Sequence, residues 1–171
     1  MKKGLYVLPP LAGLMMAGIP FMASAADTLD MKASLSESTC ELITPSFTWN
    51  AGQYKPSTPS AYNQWHLYTS KEFIFSLRNC SATLANVVMT PSYTVSGGAA
   101  NAVFNNGTAK NVLVLLKDDN GAGIASGTEY TTPIINGNAD ISINAEVRNR
   151  SGYAPTLGTL DFPISFTFEY S

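Results

Sequence analysis

Thr159-Leu160-Asp161-Phe162-Pro163-Ile164-Ser165-Phe166-Thr167-Phe168-Glu169-Tyr170 alternates apolar and polar residues without a break. Leu160, Phe162, Ile164, Phe166, Phe168 and Tyr170 fall on one side of an extended chain. Thr159, Asp161, Pro163, Ser165, Thr167 and Glu169 fall on the other. A period of two buries one face of a strand and wets the other. The sequence stops at Ser171, so no hairpin partner follows this strand. An uncovered apolar edge is an aggregation hazard, and this strand therefore needs a cover from elsewhere.

A second strand of the same pattern lies near the other end. Leu29, Met31, Ala33 and Leu35 alternate with Asp30, Lys32 and Ser34. One reading is an ordinary first strand of the fold. The sharper reading is an extension, residues 26–38, that adds to a sheet edge ahead of the main domain, residues 39–171.

What precedes it reads as a leader. Lys2 and Lys3 form a basic start, Leu5–Met22 is apolar but broken by Pro9, Pro10 and Pro20, and Ala23-Ser24-Ala25 is a small-residue cleavage site. The pattern is that of an export signal over residues 1–25 rather than a membrane anchor. The mature chain is then 146 residues, 171 less the 25 of the leader, which suits one domain. Without Lys2 and Lys3 it has eight basic and twelve acidic residues, a net charge of −4. Nucleic acid and anionic membrane surfaces both want clustered Lys and Arg, which are absent here. No cofactor motif is present. Cys40 and Cys80 follow the leader, and in an oxidising compartment an even count reads as one disulfide. The competing reading is a pair of buried thiols. A bridge would close a loop of about 41 residues and contribute about 4 kcal/mol in the chain-entropy model.

Between these landmarks no amphipathic helix of useful length appears. Candidate strands are Cys40–Trp49, Glu72–Arg78, Asn86–Val95, Asn111–Lys117, Ala139–Arg148 and Thr159–Tyr170. Gly97-Gly98, Asn106-Gly107, Asn120-Gly121 and Asn136-Gly137 mark turns between them. Many short strands so punctuated predict an all-β sandwich. Asn50–Ser70, rich in Tyr, Pro and Ser, reads as a long irregular connection.

Catalysis finds little footing. His66 is the only histidine, with no nucleophile-elbow pattern around it, and it reads as a loop residue. Asp118-Asp119-Asn120-Gly121 lacks the spaced carboxylates and late glutamate of a calcium loop and reads as a hairpin turn. No metal site is expected.

Taken together, these pieces resemble the subunits of chaperone–usher fimbriae, the type 1 pilin family, over essentially the whole mature chain. Phe73-Ile74-Phe75-Ser76-Leu77-Arg78-Asn79-Cys80 is similar to the family's second-cysteine strand. Tyr170 and Gly158 match its penultimate tyrosine and its glycine fourteenth from the end. Leu29, Met31, Ala33 and Leu35 stand eleven, nine, seven and five residues before Cys40, in the family's donor register. Asn138–Arg150 resembles the strand before the last, with Ala145 at its small position. One departure is Ala33, where family donor strands usually carry glycine.

The resemblance implies an immunoglobulin-like β-sandwich lacking its last strand, with an N-terminal donor-strand extension. It implies a groove along the final strand at Gly158, Phe162, Ile164, Phe166, Phe168 and Tyr170. A periplasmic chaperone fills that groove first. At an outer-membrane usher, the neighbouring subunit's extension replaces it. The expected role is a non-enzymatic structural subunit of an extracellular fimbria supporting cell adhesion. The alternative is a minor or adaptor subunit that binds a host glycan or protein receptor directly. Trp49 and Trp65 are its candidate contacts, near Tyr54, Tyr62 and Tyr68.

Overall fold

The computed structural model describes residues 28–35, 40–51, 54 and 65–171. The expected leader and cleavage site and most of the Asn50–Ser70 connection, including Tyr62, lie outside them. Ten strands are described: β1 Thr28–Leu35, β2 Glu41–Leu42, β3 Ser46–Asn50, β4 Leu67–Arg78, β5 Asn86–Ser92, β6 Ala102–Phe104, β7 Val112–Lys117, β8 Tyr130–Pro133, β9 Ala139–Asn149 and β10 Ile164–Tyr170. They form two five-stranded sheets, β3-β1-β10-β5-β8 and β2-β4-β9-β7-β6. Their inner faces enclose one core.

Alternation builds each layer. On β4, Phe73, Phe75 and Leu77 point inward while Glu72 and Ile74 face solvent. β9 answers with Ala139, Ile141, Ile143, Ala145 and Val147. Phe75 joins the sheets, with ring centroids 5.0 Å from Phe47, 5.1 Å from Phe166 and 5.3 Å from Phe168. Such tilted pairs contribute about 0.5–1.5 kcal/mol each beyond their buried area.

Turn chemistry closes the hairpins. Asn136 and Gly137 both adopt positive φ, 52° and 75°, between the bridged pair Ile135 and Asn138. That is the two-residue hairpin the Asn-Gly pair signals. Asp118–Asn120 is a turn too, since Asp118 Oδ1 accepts the backbone N–H groups of Asn120 and Ala122.

Several predicted boundaries move. Cys40–Trp49 divides into β2 and β3, which belong to different sheets. Pro45 interrupts it immediately before β3, and proline cannot donate to a ladder. β4 starts at Leu67, so Leu67–Ser70 belongs to a strand rather than to the irregular connection. β10 starts at Ile164 rather than Thr159, because Pro163 lacks the N–H the ladder needs. The short strands β6 and β8, of three and four residues, fall outside the candidate strands of the sequence.

Candidate functional site: the groove along the last strand

Along β10 the even residues face the core. Ile164, Phe166 and Phe168 are buried, as are Leu160 and Phe162 on the approach. Tyr170 is half-buried. Burial raises the pKa of its hydroxyl, an effect partly offset by the backbone of Cys40 beside it. The N–H groups of Ala85 and Asn86 donate to the Ser171 carbonyl, which sets Cys80, and Cys40 with it, at the Tyr170 end of the groove. Cys40 is bonded to Cys80, forming the disulfide there.

On one flank β10 pairs antiparallel with β5, from Ser165 opposite Ser92 to Tyr170 opposite Val87. On the other flank lies β1. It runs parallel to β10, with Met31 opposite Ile164, Ala33 opposite Phe166 and Leu35 opposite Phe168. β1 also pairs antiparallel with β3, from Thr28 opposite Asn50 to Lys32 opposite Ser46. Leu29, Met31 and Ala33 of β1 share the inner face with the even residues of β10. Leu29 and Met31 are 1% and 0% exposed, and Ala33 is half-buried against the core. Asp30 and Lys32 are exposed, and the Thr48 hydroxyl donates to Asp30 at 3.2 Å. The last strand is therefore covered, and the chain's own N-terminal strand covers it.

The parallel direction has a geometric cause. Residues 36–39 alone connect Leu35 to Cys40. Fully extended, those five steps reach about 17–18 Å at 3.3–3.6 Å per residue. β10 itself is about 20 Å long at about 3.3 Å per residue. An antiparallel β1 would put Leu35 at the Ile164 end, farther from Cys40 than the link can reach. The short link thus favours the parallel entry that β1 makes within one molecule.

The opposite end of the groove is held by an asparagine. Asn105 is 6% exposed. Its Oδ1 accepts the backbone N–H groups of Gly107 at 3.1 Å and Asp161 at 2.7 Å. Its Nδ2 donates to the carbonyls of Ala109 at 2.8 Å and Thr159 at 3.3 Å. The backbones of Thr108 and Thr159 add reciprocal bonds to each other's hydroxyls at 3.0 and 2.9 Å. Gly158 bridges to Tyr54 and presses on the 108–109 backbone, where an added Cβ would collide with Ala109 N. Gly158 is thus required by close approach. Asn105 had no distinct sequence signal beyond its place before Asn106-Gly107.

The aromatic candidates separate. Trp49 is 9% exposed and packs edge-on against Phe73, 6.0 Å between ring centroids. Tyr54 is buried with its ring 4.9 Å from Tyr68. Trp65 lies against Gly98, and its carbonyl accepts from Arg148 at 2.5 Å. His66 precedes β4, with its carbonyl accepting from Asn149 at 3.2 Å.

No protein-family model matches the chain. It is 26% identical over 175 residues to protein FimG of Escherichia coli strain K12, covering 99% of this chain and 98% of that one. Its fold is similar to the P pilus rod subunit PapA, with a TM-score of 0.62 and 16% identity, over 78% of this chain and 100% of that chain. It is also similar to a chaperone–usher pilus structure, with a TM-score of 0.60 and 15% identity, over 95% of this chain and 100% of that chain.

Proposed function

We infer that the chain is a structural subunit of a chaperone–usher fimbria, joining its neighbours by exchange of the β1 strand. One observation carries the exchange step. The strand that completes the core beside β10 is covalently linked to the rest of its domain through residues 36–39, and the same strand from another copy carries the same side chains. This is β-strand addition, in which backbone bonds supply affinity and alternate side chains supply register. Leu29 and Met31 each contribute about 1.5–3 kcal/mol by burial.

The direction of the strand decides the assembly. A parallel strand from a second copy brings two disulfide ends together. Like faces then meet, and reciprocal exchange closes a dimer. An antiparallel strand brings the disulfide end of one copy over the Gly158 end of the next. Unlike faces meet, and repetition makes an open filament. The fibre reading therefore requires the strand to reverse when it leaves its own groove. Freed from the link to its own Cys40, it can.

In the cell, leader-directed export places the subunit in the periplasm. A chaperone strand holds the groove open there, an outer-membrane usher is the site of exchange, and the product is an extracellular fimbria. The test is deletion of Asp27–Leu35. The truncated subunit is expected to bind chaperone and to accept a neighbour's strand, but not to donate one. Fibres of normal length built from truncated subunits alone would refute the assignment.

A further inference from the structure

The exchange reading accounts for the groove but not for the two poles that it brings face to face. At the Gly158 pole, Val95, Phe104, Tyr153 and Leu157 are 48%, 49%, 50% and 68% exposed. They sit on one continuous surface. Val95 bridges to Val103 beside Phe104. The 150–157 loop is stitched to residues 109–111 by Lys110 N to Thr156 Oγ1 at 2.9 Å and Asn111 Nδ2 to the Ala154 carbonyl at 2.8 Å. Phe104, Lys110 and Arg150 line a recess of about 150 Å³ in this surface. The three ion pairs among the described residues leave Lys110 and Arg150 without a carboxylate.

The opposite pole is complementary. Ile43 and Ile135 are 52% and 64% exposed, Ile135 at the Asn136-Gly137 hairpin. Among the described residues Glu41 forms no ion pair, and it accepts from Asn79 Nδ2 at 3.0 Å. An exposed apolar patch rimmed by polar residues, as at the Gly158 pole, marks an interaction site.

We propose that the Gly158 pole is a docking surface for the disulfide pole of a second copy of this chain. The proposal rests on the strand-exchange reading. It also names the occupant, because residues 36–39 hold the donor's Cys40 within about 18 Å of its strand. Antiparallel insertion seats Glu41, Ile43 and Ile135 against Phe104, Arg150 and Leu157. The strand supplies the permanent joint, and the poles orient the bodies and speed their encounter.

The test separates the two contacts. A labelled peptide of residues 27–35 is exchanged into the full chain, and joining of full chains is followed in parallel by size-exclusion chromatography. In the Phe104→Asp, Leu157→Asp double variant, peptide uptake stays at the wild-type rate while chain joining slows about tenfold or more, the loss of an oriented encounter. Arg150→Glu slows joining by about threefold to tenfold, and Glu41→Arg in the donor restores it, as electrostatic pairing requires. Joining at the wild-type rate in the double variant overturns the proposal. So does an equal slowing of peptide uptake, which would put the effect in the groove. A wild-type chain that takes up no peptide and joins no second copy overturns strand exchange itself, and the docking surface with it.

Discussion

β9 and β1 each complete a sheet by lying beside a strand of core-facing phenylalanines, yet they are held very differently. β9 pairs with β4 from Leu67 opposite Arg148 to Leu77 opposite Ala139, and with β7 on its other side. It is antiparallel to both. β1 meets β10 through the parallel stretch from Met31 to Leu35. Parallel pairing is slightly weaker per residue. Charge also reinforces the β9 sheet, since Glu146 on β9 pairs with Lys117 on β7 at 2.9 Å. One strand is antiparallel to both its neighbours over long registers, whereas the other has one parallel neighbour and a register of five pairs on each side. A replaceable strand must bury enough to hold and be tied loosely enough to leave.

The largest effect that would break this contrast is a charge in the shared core. Phe166→Asp places a carboxylate at a 1% exposed site facing Phe75. It is expected to cost more than about 4 kcal/mol and to remove the protein from the periplasm by proteolysis. Ile74→Asp, on the 44% exposed outer face of β4, should stay within about 0.5 kcal/mol of wild type. Urea unfolding and periplasmic abundance check both.

Replacing both Cys40 and Cys80 by serine should cost about 4 kcal/mol, read as a lowered urea midpoint.

Met31→Asp distinguishes the two sheets. Aspartate at this fully buried position should drive β1 out, so amide protection collapses over β1 and β3 while β4 and β9 keep theirs. Global unfolding without such a partial state would mean that β1 is as integral as β9. A smaller probe is Ala33→Leu, which enlarges a half-buried residue opposite Phe166. Overpacking there should weaken strand insertion by about 1–3 kcal/mol, seen as faster replacement by the free peptide.

The smallest expected effect tests the integral sheet. Burial would raise the pKa of Glu146, but hydrogen bonds from Arg148 and Lys117 outweigh it and hold the carboxyl below its ordinary 4.5. A depressed folded pKa stabilises above the unfolded value and is lost as pH falls through the folded one. Urea midpoints should therefore drop below about pH 4.5, and Glu146→Gln should flatten that limb. At pH 7 the substitution should cost about 1 kcal/mol or less, the scale of a partly exposed pair.

Much of the groove was legible because alternation reports burial directly. Ile164, Phe166 and Phe168, and Leu29 and Met31, are core residues for the reason their spacing suggests. Two things were not legible. Asn105 acts through backbone groups from residues 107 to 161, and hydrogen bonds of that span leave no local pattern. Ser46–Asn50 alternates, with Phe47 and Trp49 on one face, but what that face covers, Phe73 in the case of Trp49, depends on which sheet β3 joins.

By itself, the sequence determined that two strands each have one apolar face and need cover, since period two is a property of the extended backbone. It did not determine where the ladder of the last strand begins: the alternation runs from Thr159, but the ladder starts at Ile164, after Pro163, which has no N–H to donate. Only the tertiary structure decided that the first strand lies beside the last in the same molecule, and that it runs parallel. Alternation is blind to direction. Direction follows from the position of Cys40 at the Tyr170 end and from a link too short to reach the other.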